Sequence, residues 1–338
     1  MTMKPHHIVA IEAIHCPIPP FSIPHTLTIH NWSDEATLPT RIHPANIIIT
    51  TTIRLSAHLL DPAVTPHLQL IVIMATGTDC VDKAAAAARG ITVCNCPGTN
   101  VESVSEHALG LYFATRRRLV ELSVATRDVP QDPDMGRDSE WKMKGSLRGR
   151  VGTPPLTCCD ETVGIIGYGA VGKRIHTLAR ALGMNVLVAE RKSSSSGIST
   201  PRPGRTSFQE TLRNSTVLIL CLPRSPETLN LISTPEFQSM TSPQAILINV
   251  ARGGIVDDQA LLDALKGGLI AGAATDAYAI EPAGRGDSPL LSPEADGLNL
   301  VLTPHLAWLA ERTLRNLQES VRGVVEGWYR GEVVNVVN

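Results

Sequence analysis

The chain has 338 residues, enough for two domains of ordinary size, and its 43% hydrophobic, 18% charged composition is that of a globular protein. A formal net charge of −2 gives no electrostatic footprint for nucleic acid or an anionic membrane, so neither is expected as a partner. Residues 1–11 lack a charged-then-apolar secretory pattern, and no run approaches the ~18 apolar residues of a membrane helix, so a cytoplasmic protein is expected.

In chain order, short β-branched runs at residues 47–49, 70–75, 163–166, 186–189, 217–222, 246–250 and 300–302 predict strands. Most are continuous rather than alternating, the pattern of a parallel sheet buried on both faces. Helical spacing appears at residues 103–127, 171–182, 258–266 and 311–329, with Gly267-Gly268 as a stop signal for the third. Strand alternating with helix predicts an α/β protein with right-handed crossovers. Residues 128–159 and 193–204 are rich in Asp, Gly, Pro, Arg or Ser and read as loops. The run Arg116-Arg117-Arg118 reads as a solvated helix face. Seven cysteines are an odd number spread along the chain, which fits reduced thiols. Cys94/Cys96 and Cys158/Cys159 lack a second pair at zinc spacing, so packing is expected there and no metal.

The most informative segment is Gly167-Tyr-Gly169-Ala170-Val171-Gly172. It follows a buried-type strand and opens a helix, and a second strand then ends in Glu190, eighteen residues after Gly172. Glycines there let the backbone turn tightly, approach a pyrophosphate and pack helix on strand, while the helix amides meet the phosphate charge. A carboxylate at Glu190 would accept from ribose hydroxyls and repel a 2′-phosphate, which favours NAD. Arg191, Lys192 and Ser193 follow at once and could hold that phosphate, which keeps NADP open.

Three more polar residues stand where strands should end: Arg252, Glu281 and His305, with Asp276 beside them. In a doubly wound sheet the carboxyl ends of the strands face the ligand, so these residues can converge on the dinucleotide. Reducing a 2-keto acid needs a bidentate cation for the carboxylate, a role that suits Arg252. It needs a proton donor for the carbonyl oxygen, which suits His305. A carboxylate hydrogen-bonded to that histidine orients it and favours its charged form, which suits Glu281.

The chain resembles the D-isomer-specific 2-hydroxyacid dehydrogenases over nearly its whole length. The likeness is carried by Ala75-Thr-Gly-Thr-Asp79, Ser103-Val-Ser-Glu-His107, the glycine loop, Asn249-Val-Ala-Arg-Gly-Gly254, the segment from Asp276 to Pro282 and that from Thr303 to Trp308. Within the family it looks most like the glycerate dehydrogenase and hydroxypyruvate reductase branch. The resemblance implies a Rossmann-type doubly wound parallel sheet, residues 108–304, inserted into a smaller flavodoxin-like α/β substrate domain of residues 1–107 and 305–338. It implies an Arg252, Glu281, His305 triad and reduction of a hydroxypyruvate- or glyoxylate-like 2-keto acid to the D-2-hydroxy acid. It also implies that Asp276 accepts from the nicotinamide carboxamide and that Ala170 and Val171 offer amides to the pyrophosphate. Leu222 and Pro223 would line the adenine side, Val250 and Ala251 the nicotinamide ribose side, and Ser105 would lie near the nicotinamide. Thr76 and Gly77 would bind the substrate carboxylate through backbone amides, and a homodimer is expected. His107 reads as an ordinary helix residue. The family also contains corepressors, so a dinucleotide-sensing protein without turnover is the alternative; no extended tail supports it. Related formate-oxidising enzymes replace the acid with an amide, and Glu281 argues against that chemistry.

Overall fold

The computed structural model describes residues 5–127, 152–192 and 201–338, which divide into two units. One comprises residues 1–100 with 309–338, the other residues 101–308. Most of the two loops expected at residues 128–159 and 193–204 lies outside the described residues.

The first unit carries β1 (His6–Ala10), β2 (His25–Ile29), α1 (Leu38–Ile42), β3 (Ile47–Thr50), β4 (Leu70–Ile73), α2 (Lys83–Ala88), β5 (Thr92–Asn95) and the C-terminal helix α9 (Glu311–Arg330). Its strands are all parallel in the order β2-β1-β3-β4-β5, the flavodoxin-like winding. Every residue of β3 and β4 is buried, which explains their unbroken apolar runs. The sequence reading did not find β1, β2 or β5. β2 is a half-exposed edge strand, and the polar residues that obscure it are used across the ladder, where His7 Nε2 lies 2.8 Å from Thr28 Oγ1. On α9 the buried side chains Leu317, Val321, Val324 and Val325 follow the helical period. Gly331, at φ +81°, ends it in a left-handed cap.

The second unit contains α3 (Val101–Arg116), α4 (Leu119–Arg127), β6 (Thr162–Ile166), α5 (Ala170–Ala181), β7 (Asn185–Val188), α6 (Phe208–Asn214), β8 (Val217–Leu220), α7 (Thr234–Ser239), β9 (Ile246–Asn249), α8 (Asp258–Lys266), β10 (Gly272–Thr275) and β11 (Leu300–Leu302). The parallel sheet runs β7-β6-β8-β9-β10-β11. Beyond β7 the pairing continues for one residue, where Thr206 bridges Ala189. The chain thus builds outward from β6 through β7 to Thr206, then returns to the far side of β6 at β8. That reversal is the ligand-binding switch point of a doubly wound sheet, and the glycine loop leaves β6 there. Alternate residues of the central strands feed two cores. Val163, Ile165, Val217, Ile219 and Ile248 pack under α3 and α5, while Leu218, Leu220 and Leu247 pack with Phe237, Leu261 and Leu265.

Two expectations are corrected here. The single helix predicted for residues 103–127 is two helices, broken where Arg118 takes φ +49°. Arg116 is not on a solvated face. Its side chain is 3% exposed, and Nε and Nη2 lie 2.6 and 3.0 Å from the two oxygens of buried Glu161. Nη1 and Nη2 also donate to the carbonyls of Gln244 and Thr216, and Tyr112 and Thr216 donate their hydroxyls to Glu161. The cluster ties α3 to the sheet. α3 packs along its length on α5, β9 and β10 and belongs to the unit of residues 101–308.

Candidate active site

Two of the three glycines in the loop after β6 are required sterically, and the third leaves the approach to α5 open. Gly167 has φ +97°, and a Cβ there would lie 2.6 Å from the Cys221 carbonyl oxygen, so the turn admits no side chain. A Cβ on Gly172 would lie 2.2 Å from the Gly167 carbonyl oxygen, so α5 can press this close only through glycine. Gly169, in contrast, would meet nothing within 4 Å. It caps the N-terminus of α5 without a side-chain hydrogen bond, and the first turn holds no acid. The first amides of α5, including those of Ala170 and Val171, are therefore left to a ligand on the open side, and a pyrophosphate fits that demand. Beneath the loop, the thiol of Cys221 lies 3.0 Å from the Gly167 carbonyl oxygen, and burial pushes it up to about 12. It is a packing residue. Burial likewise raises Cys94 and Cys96 to about 11, and all seven cysteines are unbridged.

Glu190 stands at the carboxyl end of β7, as a ribose-binding acid should. Its carboxylate is engaged by Arg202 through a bidentate contact at 2.6 and 2.8 Å, and it accepts the Arg191 amide at 3.0 Å. Lys192 pairs with Glu236 at 2.9 Å, and Ser193 lies outside the described residues. Leu222 follows β8 and packs partly buried on the core beside Gly167, with Pro223 exposed after it. Val250 and Ala251 follow β9, and the Ala251 amide donates to Asn249 Oδ1 at 3.0 Å.

Arg252, Glu281 and His305 come from the carboxyl ends of β9, β10 and β11. The Asn249 side chain shapes the first turn by donating to the Arg252 carbonyl, and Arg252 Nη1 donates to the Ala251 carbonyl at 2.8 Å. Gly253 then passes against the segment that carries Glu281. A Cβ there would fall 1.8 Å from the Tyr278 carbonyl carbon, so only glycine permits the approach. Glu281 Oε1 accepts the Tyr278 amide at 2.9 Å, and Oε2 meets His305 Nδ1 at 2.6 Å. The Glu281–Pro282 peptide is cis. Burial pushes the Glu281 carboxyl upward, but the hydrogen bond and charge of His305, the Tyr278 amide and the nearby Arg252 guanidinium outweigh it and hold it below the ordinary carboxylate range. His305 adopts φ +55°, and its side chain is 36% exposed. With Nδ1 committed to Glu281, the outer nitrogen Nε2 is left to act on a substrate.

Asp276 is nearly buried, at 2% exposure, and its oxygens are spent inside the protein. They accept from Thr303 Oγ1 at 2.7 Å, from the Leu306 amide at 3.0 Å and from the Ala307 amide at 2.9 Å. These bonds fix the turn that holds His305 in its left-handed conformation. His107, read from sequence as an ordinary helix residue, joins this network. Its Nε2 lies 3.1 Å from Thr303 Oγ1 and 3.7 Å from Asp276. The signal was its place in the segment Ser103–His107, whose spacing puts Ser103 and His107 four apart on one helix face. Ser105 is fully buried, its hydroxyl 2.7 Å from the Val101 carbonyl and 3.4 Å from that of Val171, where α3 packs on α5. In the first unit, Thr76 and Gly77 follow β4 at its carboxyl end. Thr76 Oγ1 lies 3.3 Å from both the Cys96 carbonyl and Asn100 Oδ1.

A glycine-loop dinucleotide fold carrying an Arg, Glu, His set on adjacent strand ends has the parts of a nicotinamide-dependent 2-hydroxyacid dehydrogenase. Residues 120–307 match the family described as D-isomer specific 2-hydroxyacid dehydrogenase, NAD binding domain. The chain belongs to this family and is an NAD(P)-dependent oxidoreductase. It is 36% identical over 328 residues to glycerate dehydrogenase of Methylorubrum extorquens, covering 96% of each chain. It is 30% identical over 314 residues to glyoxylate reductase of Thermococcus gammatolerans, covering 89% of this chain and 86% of that one. Among solved structures, the NADPH-dependent glyoxylate/hydroxypyruvate reductase of Sinorhizobium meliloti, in complex with NADP and malonate, matches with a TM-score of 0.76 at 27% identity, over 99% of this chain and 97% of that one. Among the described residues no helix is long and apolar enough to cross a membrane.

Proposed function

We propose that the chain reduces a small 2-keto acid, of the hydroxypyruvate or glyoxylate class, to the D-2-hydroxy acid. The observation that carries this reading is the 2.6 Å pairing of Glu281 with His305, beside Arg252, in the same unit as the glycine loop. Arg252 grips the substrate carboxylate in its planar fork. Reduced nicotinamide, whose dinucleotide is held by the loop from Gly167 to Gly172, supplies the hydride. As the carbonyl oxygen gains charge, His305 gives it the proton from Nε2, and Glu281 stabilises the charged imidazole beforehand. Asp276, Thr303 and His107 keep the His305 turn in place. The relatives named for glycerate, glyoxylate and hydroxypyruvate support that substrate class.

The reading includes a homodimer and a cytoplasmic location. Leu119, Val120 and Val124, apolar yet more than half exposed on α4, support the first. The test is a panel of 2-keto acids run in parallel with NADH and NADPH. Oxidation of either coenzyme with hydroxypyruvate or glyoxylate is the expected result. Cofactor binding with no turnover on any member would instead mark a sensor.

A further inference from the structure

The Glu190 carboxylate is saturated. Oε1 accepts the Arg191 amide at 3.0 Å and Arg202 Nη2 at 2.6 Å. Oε2 accepts Arg202 Nε at 2.8 Å and the Arg202 amide at 3.3 Å. A carboxylate offers about four lone-pair sites, so none is left for a ribose diol while Arg202 is in place. The guanidinium also cancels the charge with which an acid at this position repels a 2′-phosphate. Both functions that would make Glu190 select NAD are therefore blocked by one side chain.

We infer that Arg202 sets the coenzyme choice: it masks Glu190 and offers its guanidinium to the 2′-phosphate, so that the chain takes NADPH alongside NADH. The inference rests on the reading of the glycine loop as the dinucleotide site. The exposures fit a movable partner on a fixed one, since the Arg202 side chain is 64% exposed and that of Glu190 is 16%. Exposed ion pairs are weak and exchange partners readily, whereas a guanidinium fork matches a phosphate well. Two neighbouring cations are engaged elsewhere. Lys192 pairs with Glu236, and Arg205 lies 4.8 Å over the Tyr168 ring. Protonation is no alternative route to a neutral Glu190, because the hydrogen bonds of Arg202 and the Arg191 amide hold its carboxyl down to about 2.

Calorimetric titration of the full chain with NADPH and with NADH tests this without any need for turnover. The wild type should bind the two within about tenfold of each other. Arg202→Ala should weaken NADPH by about ten- to hundredfold and leave NADH unchanged or tighter, and Arg202→Lys should restore part of the NADPH affinity as a point charge. An unchanged NADPH-to-NADH ratio in Arg202→Ala would overturn the inference, as would a wild type that binds NADPH more than about a hundredfold weaker than NADH. If neither coenzyme binds the wild type, the dinucleotide reading falls and takes this inference with it. If both bind as stated but no keto acid is reduced, the proposed reaction falls and the inference stands.

Discussion

Arg116 and Glu161 meet at 2.6 Å with side chains 3% and 0% exposed, and Arg202 and Glu190 meet at the same distance with side chains 64% and 16% exposed. Both contacts are bidentate, and both carboxylates sit in the second unit close to a strand of its sheet. Burial separates them. The inner pair is enclosed by Tyr112, Thr216 and the Gln244 carbonyl, so the carboxylate's four acceptor sites and four of the five guanidinium donors are committed, and neither charge can leave without stranding the other. In the outer pair the Arg202 side chain is mostly open to solvent and can be displaced at little cost. One pair is structure, and the other is open to exchange with a ligand. Glu281 and His305 lie between these extremes, at 33% and 36% exposure, sheltered enough to be oriented and open enough to meet a substrate.

Breaking each pair sharpens the contrast. Arg116→Met strands the Glu161 charge in the core and should cost about 3–5 kcal/mol in urea unfolding. A loss below about 1 kcal/mol would place the pair with the surface ones. Glu281→Gln should lower kcat/KM by about a hundredfold, because the histidine loses the partner that favours its charged form, with a small loss in unfolding midpoint at neutral pH. Gly253→Ala should also reduce turnover, by forcing the Tyr278 backbone and the Glu281 segment away from Arg252, while coenzyme affinity stays near wild type. For pH, the sign follows from the depressed Glu281 carboxyl. Its contribution to stability is present above the ordinary glutamate value of about 4.3 and is lost as pH falls through the lower folded value. The difference in acid unfolding between the wild type and Glu281→Gln should therefore begin to shrink as pH falls below about 4.3. The smallest effect belongs to Arg202→Ala, which should leave the unfolding midpoint indistinguishable from wild type. Its consequence is confined to the coenzyme ratio.

What could be read from the sequence follows the same division. Gly167, Gly169 and Gly172 were legible from their fixed spacing: a tight turn demands the first and a close helix the third, while the second leaves an open approach. Arg252, Glu281 and His305 were legible as polar residues just after apolar strands, which is where a doubly wound sheet presents its ligands. Arg116 was not, because its partner lies 45 residues away and nothing local marks an arginine in a basic run as buried. Asp276 was expected to accept from the coenzyme, and nothing in the sequence showed that its oxygens also accept from the turn that holds His305. Sequence shows an acid and not what it accepts from. Arg202 was hidden for the same reason, since it reaches Glu190 from twelve residues on, across a serine-rich stretch that reads only as loop. The outermost strand position was missed because it shrinks to the single bridge at Thr206.

The central claim is that His305, held by Glu281, protonates the carbonyl oxygen of a 2-keto acid as it is reduced. The most direct measurement is single-turnover oxidation of bound NADH or NADPH by hydroxypyruvate in wild type and His305→Ala, with chiral analysis of the product. The wild type should form the D-2-hydroxy acid, and His305→Ala should bind coenzyme normally but react slower by about a hundredfold or more. Equal rates in the two proteins, or an L-product, would contradict the account.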